Sequence, residues 1–114
     1  MGIMTRVAVL ALALPPQEPR VVTPADFERL PMIEVPAAAL EALIPEGSAT
    51  VECAVENGLI ANCTVVEESP QGFHFGTEVL WSLRRATLKP EVAAQTERFR
   101  LTVRFSIEVP EAAE

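Results

Sequence analysis

The sequence predicts a single α+β domain: a short N-terminal helix, then strand, strand, helix and strand (β-β-α-β), with a three-stranded antiparallel sheet packed on one helix. Three observations indicate this class. Apolar residues alternate with polar ones between 48 and 66, recur at helical spacing between 77 and 86, and alternate again between 98 and 108. A chain of 114 residues, 49% of them hydrophobic, is long enough for one such domain with a modest core.

The short first helix is predicted by the stretch PAAALEALI. It begins at Pro36, a residue that suits the first turn of a helix because its backbone angle is already helical. Pro45 and Gly47 follow the stretch and close it. We therefore expect a helix of about two turns directly before the first strand.

The next two strands form a predicted hairpin around Asn57 and Gly58 that carries both cysteines, one on each arm. On both arms the odd-numbered positions are the more apolar. A two-residue loop would put Cys53 and Cys63 on opposite faces, whereas a three-residue loop puts them on the same face. A loop at 56–58, with Gly58 in the left-handed conformation, makes the cysteines diagonal neighbours, and a loop at 57–59 makes them direct opposites. We expect one of these three-residue loops.

The second helix is predicted by the stretch TEVLWSLRRA. Thr77 is a suitable N-cap, and Arg84 and Arg85 suit the last turn, where they oppose the helix dipole. Pro90 prevents continuation of the helix. One face of the helix is apolar, and it is formed by Val79, Leu80, Leu83 and Ala86.

The last strand has the clearest alternation in the chain. Its apolar side is formed by Phe99, Leu101, Val103, Phe105 and Ile107. Its polar side is formed by Arg98, Arg100, Thr102, Arg104, Ser106 and Glu108. One apolar face and one polar face are typical of an antiparallel sheet that is covered on one side only.

Four segments are expected along the chain. Residues 1–14 contain eight consecutive apolar residues, far fewer than the ~20 that span a bilayer, and they suit an export signal or a short apolar tail. Residues 15–29 contain four prolines and predict an irregular linker. The compact domain is expected at 30–109, and an acidic tail at 110–114.

The charge is unevenly distributed along the chain. Sixteen acidic and nine basic residues give a net charge of −7, which argues against nucleic acid as the main partner. Residues 84–104 hold six basic and two acidic residues, a local net charge of +4. Such a stripe indicates either a docking surface for an acidic partner or a solvated face.

The ordered set of elements resembles the C-terminal domain of TonB-type energy transducers over about residues 30–108. The stretch VPAAALEALIPEGSATVECAV is similar to that family's proline-led helix, which reaches the sheet through a glycine, here Gly47. Gly58 matches the hairpin glycine, and RRATLKP with Pro90 matches the basic helix end and the following proline. The cysteine pair followed by ESPQGFHFG looks like a variant of the family with two cysteines in the hairpin.

The resemblance implies a periplasmic protein-interaction domain. It would bind the TonB box, a short segment of outer-membrane TonB-dependent receptors, as an added strand beside its last strand, in support of transport. It would meet the membrane only through its partners. The implied contacts are Arg98, Phe99, Arg100, Leu101, Thr102, Val103, Arg104 and Phe105. The alternative is a stand-alone structural or assembly module that dimerises through the same edge strand without energy transduction.

A disulfide between Cys53 and Cys63 fits an exported domain of this size. Small domains bury a limited core, so a cross-link is useful to them. The alternative is a pair of small buried thiols, as free cysteines often are.

The sequence shows no catalytic constellation. His74 is the only histidine, and its spacing from Cys53 and Cys63 matches no recognised metal motif. There is no phosphate-binding or dinucleotide-binding glycine pattern. We therefore expect a protein without enzymatic activity, cofactor or metal, in which Gly58 and Pro90 serve the geometry of turns.

Overall fold

A mixed β-sheet with one face covered by a helix forms the centre of the molecule in this computed structural model, which describes residues 18–107. The segments predicted at 1–14 and 110–114 lie outside the described residues. In the described range no helix has the length and apolar character needed to cross a membrane. The elements are β1 (Arg20–Val21), β2 (Phe27–Arg29), α1 (Ala37–Glu41), β3 (Glu46–Glu56), β4 (Leu59–Ser69), α2 (Phe75–Leu83), β5 (Thr87–Leu88), α3 (Pro90–Ala94) and β6 (Arg98–Ser106).

The α+β class is confirmed, but the sheet differs from the predicted three-stranded antiparallel one. Its strand order is β1-β6-β3-β4, and β1 runs parallel to β6. A separate two-stranded sheet joins β2 to β5. Residues 20–29, expected to be linker, thus supply β1, β2 and a 3-10 turn between them. They are held because Val22 and Phe27 are buried in the same core as β6.

The hairpin between β3 and β4 has a two-residue turn, so the prediction of a three-residue loop was wrong. Asn57 and Gly58 both have positive φ, 53° and 78°, as the favoured Asn-Gly hairpin turn requires. A β-bulge at Asn62 then adds one residue to β4, and beyond it the register has shifted by one. That extra residue brings Cys53 and Cys63 onto the same face of the sheet.

The register shift also changes which residues of the hairpin face the core. The sequence placed the odd positions of both arms on the apolar face. On β4, before the bulge, Ile60 pairs with Val55 on the core side, and Leu59 points away, 65% exposed. Alternation counted from the sequence fails here because a bulge reverses the parity of all residues beyond it.

The expected disulfide between Cys53 and Cys63 is present. It joins a fully buried residue of β3 to a half-buried residue of β4. We expect reduction to lower the free energy of unfolding by about 2–3 kcal/mol, because the cross-link restricts a loop of about ten residues in the unfolded chain. Urea unfolding with and without dithiothreitol measures this difference.

The double variant Cys53→Ala, Cys63→Ala is the matched control for that experiment. Its midpoint of unfolding is expected at the same urea concentration as that of the reduced protein. Dithiothreitol should not change this midpoint. An oxidised protein whose unfolding midpoint does not move on reduction would show that the cross-link adds no stability.

Both predicted helices are shorter or shifted in the structure. Helix α1 ends at Glu41, and Leu43 with φ of 53° turns the chain toward β3. Helix α2 begins at Phe75, two residues before the predicted cap, because Phe75 is completely buried against the sheet. The N–H of Gly76 donates to the Glu68 carboxylate at 3.1 Å, which places a negative charge at the helix start. Tertiary contacts therefore set this boundary.

Pro90 does not only stop a helix; it begins the short helix α3, which the sequence did not predict.

The alternation predicted for the last strand is confirmed on its core side. Phe99, Leu101 and Phe105 are buried there, and Val103 is packed against the same cluster. The polar side chains of β6 lie on the other face of the sheet. None of the described helices packs against that face.

Candidate functional site

Among residues 18–107, strand β6 is paired along its whole length on one side only. Strand β3 pairs with it from Arg98 to Ser106. On the other side, β1 pairs only at Phe99 and Arg100. The chain leaves β6 after Val22 and enters the 3-10 turn that begins at Pro24. Strand β1 therefore covers the beginning of the expected edge strand. No strand within the described residues covers its second half on this side.

The hydrogen bonds at the two ends of β6 show which backbone groups face β3. The carbonyl oxygen of Glu97 accepts from the N–H of Val55 at 2.8 Å, and the N–H of Ile107 donates to the carbonyl oxygen of Pro45 at 2.8 Å. In a strand the backbone groups of successive residues point to opposite edges. The odd-numbered residues of β6 therefore bond to β3.

The even-numbered residues of β6 direct their backbone groups to the other edge. The carbonyl oxygen of Arg100 accepts from the N–H of Val22 at 3.1 Å, which uses this group for β1. By the same alternation Thr102, Arg104 and Ser106 present their N–H and C=O groups there. No strand within residues 18–107 pairs with them. We call the backbone groups of these three residues the open edge.

The three arginines of β6 have different environments. Arg98 and Arg100 both donate to the carboxylate of Glu52 on β3, Arg100 at 3.1 Å. Arg104 forms no ion pair with any residue in 18–107. Because Arg98 and Arg100 are both held by the Glu52 carboxylate, Arg104 is the arginine of β6 that has no ion pair within residues 18–107 and that lies at the open edge.

A polar depression of about 740 Å³ lies on the polar face of the sheet beside the open edge. Hydroxyl groups dominate its floor, and the Thr50 and Thr102 hydroxyls share a hydrogen bond of 2.9 Å. Two carboxylates also reach it, from Glu46 on β3 and Glu67 on β4. Neighbouring strands are about 4.8 Å apart, so Arg104 on β6 is the charged side chain closest to the open edge.

Eight residues of β6 were predicted as partner contacts, and the structure divides them into three groups. Phe99, Leu101, Val103 and Phe105 direct their side chains into the core. Arg98 and Arg100 are paired with Glu52. Thr102 and Arg104 remain, with exposed side chains on the polar face.

The opposite edge of the sheet, formed by β4, is less regular. The register of β4 against β3 shifts at Asn62 and again at Val66. Bulges interrupt the row of backbone groups that an added strand would need, and they are a common protection of edge strands. The pairing of β6 with β3 contains no such shift. The two edges therefore differ in how readily they accept another strand.

Sequence reasoning missed the contribution of β1 to this site. The signal available was the pair Val21-Val22, two β-branched residues directly before Thr23-Pro24. The metal set considered for His74 does not form, since both cysteines are used in the disulfide. No group of three potential metal ligands occurs within residues 18–107.

No protein-family model and no curated protein matches this sequence. Among solved structures, the chain is similar to the solution NMR structure of the Pseudomonas aeruginosa TonB CTD, with 19% identity and a TM-score of 0.46. The likeness covers 82% of this chain and 96% of that one.

Proposed function

We propose that this chain is a protein-interaction domain that binds an extended peptide by strand addition at the open edge. The open edge itself is the observation that carries the proposal. An uncovered row of N–H and C=O groups favours pairing with another strand, and main-chain hydrogen bonds then supply affinity. In line with the family resemblance, we propose the TonB box of an outer-membrane TonB-dependent receptor as the peptide, in support of transport.

Two features of the structure support strand addition at β6 in particular. Strand β1 already pairs with the first part of the same edge, so this side of β6 is compatible with a neighbouring strand. The ladder between β3 and β6 is regular, which leaves the row of backbone groups on the open edge uninterrupted. The same features do not favour β4, where two bulges interrupt the edge.

We propose that the protein acts in the periplasm. A disulfide between strands persists in an oxidising compartment and is rare in the cytosol. The outer-membrane partner would lie in the same compartment as the domain. Residues 1–14, which suit an export signal, lie outside the described residues and stay a prediction.

Arg104 gives the proposed site a preference for acidic side chains. A peptide strand beside β6 would lie about 4.8 Å away, and its outward side chains would lie next to the exposed Arg104. The nearest competing carboxylates are one and two strands farther, on β3 and β4. An acidic residue of the peptide is therefore the expected neighbour of Arg104.

Reversing the charge of Arg104 tests this proposal. We expect Arg104→Glu to weaken binding of a fluorescein-labelled TonB box peptide by about five- to tenfold, since an attraction of up to about 1 kcal/mol becomes a repulsion. Fluorescence anisotropy measures the Kd. The difference should shrink at high salt, because exposed charges are screened.

Arg29→Glu is the matched control, because it makes the same change of net charge on β2, which belongs to the separate two-stranded sheet. Its Kd should stay close to that of the unchanged protein. Equal weakening by both variants would mean that only the overall charge matters, and it would remove Arg104 from the site.

Self-pairing of the open edge is the second candidate function, because the same uncovered backbone groups could pair two copies into an assembly module. Full antiparallel overlap of the three residues would place Arg104 directly opposite Arg104 of the other copy, and like charges in that position are destabilising. Peptide binding is favoured for this reason. Analytical ultracentrifugation over a range of concentrations would reveal a dimer if self-pairing prevails.

A further inference from the structure

A second surface, away from the open edge, lies between α2 and β4. A groove of about 270 Å³ separates them, and we call it the α2–β4 groove. It is lined by Ile60, Ala61, Asn62, Cys63, Leu80, Leu83 and Arg84. Its volume is below the 300–1,000 Å³ typical of small-molecule pockets, so it fits an aliphatic side chain better than a whole small ligand.

An aromatic–arginine stack lies beside the groove. Arg84 lines the groove, and its guanidinium carbon lies 4.2 Å from the centre of the Trp81 ring. Trp81 is 59% exposed. Tryptophan and arginine are the residues most enriched among those that dominate protein–protein binding energy.

The lining of the groove is anchored in the core. Cys63 forms part of it and is linked through the disulfide to Cys53, which is fully buried on β3. Leu83 contributes to the groove from the buried face of α2. A surface that is already ordered loses little conformational entropy on binding, which favours affinity.

The charge at the groove is positive, in a protein that is acidic as a whole. Within residues 18–107, neither Arg84 nor Arg85 forms an ion pair. Glu56 at the hairpin end accepts from the side-chain amide of Asn62 at 3.1 Å and keeps its negative charge, so the two arginines still leave a net positive charge. A partner with acidic side chains would therefore meet positive charge that the described residues do not neutralise.

We propose that the α2–β4 groove binds an acidic segment of a partner protein that inserts one aliphatic side chain between α2 and β4. The aliphatic anchor fills the groove, and acidic side chains of the same segment lie against Arg84 and Arg85. The site is formed by side chains on the helix-covered side of the sheet, whereas the open edge is formed by backbone groups of β6. The two surfaces are separate, and both can be occupied in one molecule.

A short fluorescein-labelled peptide of alternating glutamate and leucine is the probe, titrated with the full chain in its oxidised state. We expect the fluorescence anisotropy of the peptide to rise as it binds. Binding should also shift the NMR signals of the Trp81 indole N–H and of the backbone amides around Cys63. A matched peptide with lysine in place of glutamate should not bind. Arg84→Glu should weaken binding of the acidic peptide at least about fivefold, whereas Arg20→Glu should not, because it makes the same change of net charge on β1, three strands from β4.

Four results would overturn the inference. The first is equal Kd values for the Arg84→Glu and Arg20→Glu variants. The second is a set of NMR shifts outside the groove. The third is loss of peptide binding in Thr102→Pro, which would place the peptide at the open edge. The fourth is a dimer of the chain that the Arg84→Glu substitution abolishes, because the groove would then be occupied by a second copy. A failure at the groove leaves the proposed function at β6 untouched.

Discussion

Replacing Gly47 by alanine should destabilise the domain by about 2–4 kcal/mol. A Cβ atom at this position would lie within 3.0 Å of three ring carbons of Phe75. Phe75 is completely buried under the sheet, so its ring has little room to move away. Overpacking of this kind typically costs about 1–3 kcal/mol, and occasionally more. Elsewhere, a glycine-to-alanine change in a compatible conformation tends to stabilise by ~0.4–1 kcal/mol, so the expected sign is itself diagnostic.

A double-mutant cycle separates the contact with Phe75 from other effects of the change. Phe75→Ala alone should cost about 3–5 kcal/mol, because it leaves a cavity in the core. In that background, Gly47→Ala should be close to neutral, since the ring that it met is gone. Urea unfolding of the four proteins measures the cycle. A Gly47→Ala variant as stable as the unchanged protein would contradict the close packing of α2 on β3.

Replacing Thr102 by proline should weaken binding of the TonB box peptide by about tenfold or more while the domain stays folded. The N–H of this residue faces the open edge and takes no part in the pairing with β3. Proline removes this donor, and its ring obstructs the approach of a strand. Loss of about 1.4 kcal/mol or more of binding free energy corresponds to that factor. Proline is tolerated in edge strands when the lost N–H faces away from the sheet.

Two variants control for the other consequences of that change. Thr102→Val keeps the N–H and removes only the hydroxyl bonded to Thr50, so it should bind the peptide normally. Val103→Pro removes an N–H that faces β3, so it should lose stability instead. Normal peptide binding by a folded Thr102→Pro variant would contradict strand addition at this position.

The last strand could be predicted almost completely from the sequence. Its alternation runs without interruption from Arg98 to Ser106, and a regular antiparallel ladder preserves this period on both faces. The buried side of β6 is the predicted one for the same reason. A long strand with one apolar face specifies its register, because a slip of one residue would move its apolar side chains to the solvent-facing side.

The hairpin could be predicted only in part. Asn57 and Gly58 gave the position of the turn, and both adopt the positive φ that the residue types favour. The bulge at Asn62 could not be deduced, because it depends on how β4 packs against α2 and on the disulfide to Cys53. Local sequence does not encode an insertion whose benefit appears only in the folded sheet.

The site depended on contacts between residues distant in the chain. Glu52 and Arg98 are 46 residues apart, and the sequence does not show that this carboxylate pairs with two of the three arginines. Strand β1 has two residues and pairs in parallel, which leaves too short a pattern to predict. These two contacts decide which part of β6 stays open and which arginine stays available.

Amide hydrogen exchange of β6, measured by NMR with and without the TonB box peptide, tests strand addition most directly. In the free protein, the N–H of Thr102 and Arg104 should exchange fast, and the N–H of Val103, bonded to β3, should exchange slowly. On peptide binding, Thr102 and Arg104 should become protected while Val103 changes little. Peptide binding that leaves Thr102 and Arg104 exchanging as fast as before would contradict strand addition at the open edge.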